Sequence, residues 1–496
     1  MALLGIDLGT SALKAILVGD DGSVIAGATV PLQSRVPKPG WSEQHPLDWW
    51  HALEAALAQL RAARGNLLAD VRAIGLSGQM HGAVLLDRDG TPIRPAILWN
   101  DGRATAECEA LESKVPELAR IAGVAAMPGF TAPKLLWLRK HEPEHFSRIH
   151  KVVSPKDYLR LRMTGEYATD MSDAAGTLWL DQARRDWSDA ILEATGLGRS
   201  EMPRLVEGSA RSGELRGDIA NALGIGAPAL VAGGAGDAAA AAIGIGAVED
   251  GDAFISLGTS AQFFVTDDRY RPRPETLLHS FAHALPDRWF RMAAMLNGAS
   301  CLDFLSRLTG TPVASLLKAA EREYRGPSRL YFLPYLSGER TPHNDPFARG
   351  VFVGLDHDCG PTELARAVLE GVAFSLLQAR ALLELAGVRL ASVAAVGGGA
   401  RSRFWMQLLA HVLDLPVVRY QGSETGPAFG AARLARIALT SEPPQLACAK
   451  PQVLDEHLPD RHLSVAYRER FERYRALYRA LKPEFRTIGV SVTVPP

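Results

Sequence analysis

Cysteine is scarce in this chain, with four in 496 residues: Cys108, Cys301, Cys359 and Cys448. None forms a Cys-X-X-Cys pair. A zinc ribbon and a disulfide framework are therefore excluded, and a reducing, cytoplasmic setting is expected. Long hydrophobic runs are missing too: no stretch of about 18 apolar residues reads as a membrane span. The apolar start MALLGIDLG is interrupted by Asp7 and has no basic region before it, so it reads as a strand and not as a leader. Net charge is nearly absent, at −1 from 54 basic and 55 acidic residues. No global field recruits nucleic acid or an anionic membrane, and the Arg-rich stretch from Arg468 to Arg479 reads as a solvated helix face.

What is present is an ordinary globular composition, 47% apolar and 22% charged, in a chain too long for one core. The clearest pattern is a repeated word. Residues 6–11 read IDLGTS and residues 255–260 read ISLGTS, 249 positions later, with Asp7 replaced by Ser256. Around the first copy, apolar runs Leu3–Asp7, Leu13–Val18 and Val24–Ala28 are separated by Gly-Thr-Ser and by Asp20-Asp21-Gly22, which predicts an antiparallel meander. Around the second, Ala253–Leu257 and Gln262–Thr266 flank another Gly-Thr-Ser, which predicts the same hairpin. Helical spacing is seen over Pro46–Arg64, Thr362–Glu384 and Ser402–Leu413. Strands are expected at Val71–Leu76, Ala83–Asp87, Ser392–Val396 and Val417-Val418. Tyr467, Phe471, Tyr474, Tyr478 and Leu481 mark one face of a terminal amphipathic helix. Strands mixed with helices in both halves argue for an α/β protein with a boundary in the Gly- and Ala-rich stretch around 233–247.

A Gly-Thr-Ser turn offers backbone N–H groups and two hydroxyls at a hairpin tip, a donor set suited to phosphate oxygens. Two such turns could grip one polyphosphate from opposite sides. The carboxylate of Asp7 would repel phosphates unless Mg²⁺ lay between them, and Mg²⁺ commonly binds through one or two carboxylates plus substrate phosphates. Asp237, in GGAGDAAAAAIGIG, stands before an alanine run as a helix N-cap would. An acid at that place is held ionised by the helix dipole, as acceptance of a hydroxyl proton requires.

The duplicated hairpins and Gly397-Gly398-Gly399-Ala400 resemble the actin, hexokinase and heat-shock chaperone ATPase superfamily. Within it, GFTAPKLLW (129–137) and GGGARSRFWMQLLAHVLDLPV (397–417) resemble the FGGY carbohydrate kinases, over essentially the whole chain. GQMHG (78–82), ILWNDGR (97–103) and YLSGERTPHNDP (335–346) are similar to the xylulokinase branch. The resemblance implies two ribonuclease-H-like (actin-type) α/β domains, each a mixed sheet flanked by helices, at 1–245 and 246–496 with a cleft between. It implies ATP and Mg²⁺ as cofactors, a small sugar as partner, and transfer of phosphate to the terminal hydroxyl of D-xylulose. The oligomeric state stays open, a homodimer included.

Carried over residue by residue, the resemblance makes Asp237 the catalytic base and Asp7 the metal-linked acid. Thr10, Ser11 and Lys14 follow the first turn toward the phosphates. Thr259 matches a phosphate contact, and Gly298, Gly398, Gly399 and Ser402 match the nucleotide side. Met80 and His81 match sugar contacts. Asp101 and Arg103 either line the same cleft or form a structural pair. Asp173 reads as a turn residue, and Glu339 and Arg340 as parts of an ordered loop. One departure stands out: xylulokinases commonly carry Asn after the base, where this chain has Ala238. A lost hydrogen bond there is worth about 0.5–1.5 kcal/mol, which leaves a related ketose or polyol open as substrate. A non-catalytic ATP switch of the actin type is the reading from another class.

Overall fold

Both copies of the repeated word fold as the same hairpin. In the computed structural model, which describes residues 2–226 and 228–488, strand β1 (Ala2–Leu8) pairs antiparallel with β2 (Ala12–Gly19). The side chains of Arg64, Asn66, Glu424 and Ile488 are not described, and Met1, Ala227 and 489–496, inside the expected domains, lie outside the described residues. β3 (Val24–Pro31) completes the expected meander beside β2, and β4 (Val71–Gly78) adds in parallel on the far side of β1. Beyond β4 come β6 (Leu230–Ala232) in parallel and β5 (Arg211–Glu214) antiparallel, with the short β7 (Ala235–Gly236) also on β4. The first sheet therefore runs β5-β6-β4-β1-β2-β3.

The second sheet repeats this plan. β8 (Ala253–Leu257) and β9 (Ala261–Asp267) form the hairpin, followed by β11 (Trp289–Met295) and then β10 (His279–Ala282), all antiparallel. On the other side of β8 lie β12 (Val393–Val396) and β13 (Val417–Tyr420), both parallel, and β14 (Val453–His457), antiparallel at the edge. Each sheet thus has a meander on one side of its first strand and two parallel strands on the other. The parallel strands need crossover helices, which is why helical sequence alternates with strand sequence in both halves.

Alternation along the strands sets the layers. Leu4, Ile6 and Leu8 of β1 join one buried cluster with Trp49, Leu53 and Leu57 of helix α1 (Pro46–Arg64). Leu3 of β1 and Ile16 of β2 point the other way, to Ala428, Ala432 and Ala435. These alanines belong to a helix from late in the chain, Pro427–Thr440. The helix opening at Asp237 (Asp237–Ile245) is buried in one cluster with Phe254, Phe264 and Val396 of the second sheet. Each half of the sequence therefore sends a helix toward the other half's sheet.

The two helices cross in close contact. A Cβ on Gly430 would sit 1.8 Å from Ala240 O, one on Gly75 1.8 Å from Ala431 O, and one on Gly5 2.0 Å from Ala428 O. Only glycine permits backbones to meet this closely. The second sheet's outer face is covered by the helices Pro361–Leu385, Arg403–Leu413 and Arg461–Ile488, where Tyr467, Phe471, Tyr474 and Tyr478 are buried as the sequence predicts. Among the described residues no helix is long and apolar enough to cross a membrane.

Candidate active site

A cavity of about 840 Å³ opens where the two crossing helices begin. Its walls include Asp237 and Ala241 of one helix, Gly426 and Pro427 at the head of the other, Ser260 of the second hairpin and Gly398 of the glycine run. Helix N-termini leave N–H groups unpaired, so two of them at one cavity favour an anion there.

The first hairpin turn is stiffened by side chains. Thr10 Oγ1 donates to Gln79 Oε1 (3.0 Å) and accepts from Trp99 Nε1 (2.9 Å), and Thr10 O accepts from Gln44 Nε2 (2.7 Å). The Thr10 hydroxyl is thus committed within the protein, which leaves backbone N–H groups and the exposed Ser11 as the turn's donors. Asp7 lies opposite Lys14 in the ladder and accepts a 2.6 Å hydrogen bond from Ser77 Oγ. Desolvation raises the Asp7 pKa, against the opposing effects of Ser77 and Lys14. Lys14 Nζ donates to Thr425 O (2.9 Å), in the turn just before the Pro427 helix.

In the second turn Thr259 is exposed at the tip, and its carbonyl accepts from Ser300 Oγ (2.6 Å). Gly298 lies behind this turn: a Cβ there would meet Ser260 O at 2.5 Å. Gly398 differs, since a Cβ on it meets nothing within 4 Å and would project into open cavity space. Gly399 packs on Trp405 and Leu257, and Ser402 caps the following helix by accepting from Trp405 N (3.2 Å). Of the glycine-run residues expected to meet a nucleotide, Gly398 lines the cavity while Gly399 and Ser402 shape it from behind. Sequence reasoning missed Tyr420, Gln421, Gly422, Ser423, Thr425 and Gly426 in the cavity wall. The paired glycines of QGSETG were the signal available.

Asp237 is the first residue of its helix, and the cap position belongs to Gly236 with extended φ −60°, ψ 152°. The expected N-cap is therefore displaced by one residue. Asp237 Oδ1 accepts from Ala238 N (2.8 Å), but burial, followed by the neighbouring Asp7 charge, outweighs the help expected from the helix terminus and pushes its pKa up to about 7. A carboxyl poised there accepts a proton readily near neutral pH.

Met80 and His81 continue β4 toward the same place. Met80 touches the Gly236 position, where a Cβ would lie 2.7 Å from its sulfur. His81 adopts the left-handed φ of 68°, uncommon for a residue with a side chain. Its Nδ1 lies 2.7 Å from Gly176 O, a contact only an N–H makes, and burial holds its pKa well below 6.5. The imidazole is thus neutral, with Nε2 as an acceptor for a hydroxyl. Asp101 and Arg103 bind each other: Arg103 Nε donates to Asp101 Oδ1 (2.8 Å), and Nη2 donates to Asp101 Oδ2 (2.7 Å) and Glu43 Oε1 (2.7 Å). Arg103 also stacks 3.6 Å over Trp41. Asp101 and Arg103 are thus paired with each other, as one of their two readings has it. Arg340, given only a loop role above, reaches across from the second half to Trp99 O (3.3 Å), close enough to His81 to lower its pKa.

Family models match the chain as the FGGY family of carbohydrate kinases, N-terminal domain over residues 2–244 and C-terminal domain over 253–439. The chain belongs to the FGGY family of carbohydrate kinases. Among FGGY relatives, a xylulose kinase of Escherichia coli (strain K12) is 50% identical over 482 residues, covering 97% of this chain and 99% of that protein. A crystal structure described as a xyloylose kinase from Brucella ovis superposes with a TM-score of 0.93 at 46% identity, over 97% of this chain and 100% of that one. A gluconate kinase from Lactobacillus acidophilus superposes with a TM-score of 0.91 at 26% identity, over 98% and 99% of the two chains. This FGGY chain is accordingly an enzyme of the sugar-kinase class.

Proposed function

We propose that this enzyme transfers the γ-phosphoryl group of ATP to the terminal hydroxyl of D-xylulose, giving D-xylulose 5-phosphate, with Asp237 as general base. The observation that carries the kinase mechanism is Asp237 in the wall of the large cavity, beside Asp7, with its pKa lifted to about 7. The choice of sugar rests on the near-full-length relation to a xylulose kinase. In this reading the carboxylate takes the hydroxyl proton as the sugar oxygen bonds to the γ-phosphorus and the bond to the β-phosphate oxygen breaks, releasing ADP. General base action adds about 10²–10⁴-fold; placement and charge neutralisation supply most of the remainder.

The two Gly-Thr-Ser turns hold the phosphates through backbone N–H groups, with Ser11 and Thr259 at their tips. Lys14 lies beside them. Gly398 keeps the nucleotide wall clear, and Gly298, Gly399 and Ser402 fix the shape of that wall. Met80 and the neutral His81 orient the sugar, while Asp101 and Arg103 brace the loop behind it. The division at 245/246 gives each half one sheet and one phosphate turn. Four free cysteines agree with a cytoplasmic enzyme.

Asp7 suits Mg²⁺: it is a single carboxylate at a desolvated place, one oxygen is already oriented by Ser77, and its charge lacks full compensation. Among the described residues no group of three His, Cys, Asp or Glu forms a cage. Mg²⁺ commonly takes its other ligands from phosphates and water. When bound, the ion neutralises charge on the phosphate oxygens.

Ala238 favours a second reading in which another ketose or a polyol is preferred, since it lines the cavity where a polar side chain would add a hydrogen bond. A coupled ADP-release assay over D-xylulose, L-xylulose, L-ribulose, gluconate and polyols tests the choice. D-Xylulose is expected to give the highest kcat/KM, and a value under a tenth of the best substrate would refute it. Slow ATP hydrolysis indifferent to every sugar would instead support the non-catalytic switch.

A further inference from the structure

Beneath the turn that presents Asp237 lies a block of fully buried charge that the mechanism above does not use. Lys156 Nζ sits 2.7 Å from Asp157 Oδ1, 2.8 Å from Asp170 Oδ1 and 3.2 Å from Asp173 Oδ2, and all four side chains are wholly buried. Arg160 joins it through Asp157 Oδ1 at 3.1 Å. Lys156 and Arg160 come from the helix Pro155–Thr164, and Asp173 from the five-residue helix Met171–Ala175. Asp173, read from sequence as a turn residue, is therefore a helical member of this cluster. Burial, only partly offset by Lys156, raises its pKa.

The cluster grips the backbone leading to Asp237 at both ends. Arg160 donates from Nη1 to Ala232 O (2.7 Å) and from Nη2 to Gly233 O, where β6 gives way to the turn. Three residues after Gly233, Gly236 N donates to Ser172 Oγ (3.0 Å). Ser172 is itself aimed: its hydroxyl donates to Asp170 Oδ2 (2.5 Å), which also accepts from Ser172 N (2.8 Å), while Lys156 holds the other Asp170 oxygen. A hydroxyl whose proton is committed in this way presents a lone pair to Gly236 in one direction. The same short helix ends at Gly176, whose carbonyl receives the His81 imidazole. One rigid element thus lies between the proposed base and the proposed sugar contact.

We propose that Ser172 is a positioning residue for phosphoryl transfer: its hydroxyl, oriented by Asp170 and Lys156, fixes the Gly236 amide and with it the direction in which Asp237 faces the sugar. This rests on the reading of Asp237 as the base. A base displaced by about 1 Å can lose 10²-fold in rate, so the effect belongs in kcat and not in nucleotide affinity.

The test compares Ser172→Ala, Asp173→Asn and Asp237→Asn for kcat, for KM toward ATP and D-xylulose, and for thermal midpoint. Ser172→Ala is expected to lower kcat at least tenfold with KM for ATP within twofold. Asp173→Asn, adjacent and equally buried but not bonded to the turn, is expected to keep kcat within threefold. Equal kcat losses in both variants, or a normal kcat in Ser172→Ala with only a lower midpoint, would overturn the proposal. If Ser172→Ala does not fold, Ser172→Cys preserves volume while weakening the acceptor and is read by the same criteria. A dead Asp237→Asn beside a normal Ser172→Ala removes only the positioning role; an active Asp237→Asn removes the base reading itself.

Discussion

Replacing the proposed base should make the protein sturdier, and the size of that gain follows from the site. The Asp237 carboxyl titrates at about 7 in the fold against an ordinary 3.8, because burial and then the Asp7 charge disfavour its ionised form. Between those two values the unfolded chain binds fewer protons than the folded one, so stability falls as pH rises through this window and the loss is complete above it. The full difference corresponds to at most about 4 kcal/mol. Water reaching the open cavity reduces this, and we expect about 1–2 kcal/mol to be realised. Asp237→Asn is neutral at every pH and escapes the penalty. For a chain of 496 residues its thermal midpoint should exceed that of the native protein by about 1–2 °C at pH 8, with less than half of that gain at pH 5. Paired melting curves at the two pH values, without ligands, provide the assay. A variant that melts lower, or a gain that does not change with pH, would refute the electrostatic account of Asp237.

Other expectations follow from the same geometry. With Asp237 required as carboxylate, kcat/KM should fall about tenfold per pH unit below roughly 7; a flat profile down to pH 5.5 would contradict that requirement. Gly398→Val should raise KM for ATP at least tenfold while leaving the thermal midpoint nearly unchanged, because its Cβ meets only open cavity. Gly75→Ala should do the reverse, losing soluble yield and thermal midpoint, since its Cβ falls 1.8 Å from a backbone carbonyl of the crossing helix and overpacking costs about 1–3 kcal/mol or more. Arg103→Ala should destabilise by about 3–5 kcal/mol by leaving Asp101 buried without its cation, while Glu43 keeps Arg94, measured as a drop in denaturation midpoint.

Local chemistry made much of this protein legible in advance. The two hairpins were readable because Gly-Thr-Ser and Asp-Asp-Gly punctuate strands of period two. The helices Pro46–Arg64 and Arg403–Leu413 were readable because their apolar residues recur at helical spacing. What stayed hidden depends on contacts between distant segments. PAFGAARLARIALT gives no sign that it will lie on a sheet formed some 400 residues earlier, since that contact is made by absent side chains at Gly5 and Gly75. Asp173 looked like a turn residue because the lysine that holds it is 17 positions away in sequence. The partners of Arg103, Glu43 and Trp41, stand some 60 positions earlier in sequence and were not legible either. Ser172 has no local signature at all; its meaning lies wholly in what it touches.

The central claim is that a nucleotide is held between the two matching turns with Asp237 facing a sugar alcohol, and a crystal structure with MgADP and D-xylulose tests it most directly. The account predicts the β-phosphate between Gly9–Ser11 and Gly258–Ser260, with the terminal sugar hydroxyl about 2.6–3.2 Å from an Asp237 oxygen. A nucleotide bound elsewhere, or a sugar whose terminal hydroxyl points away from Asp237, would contradict it.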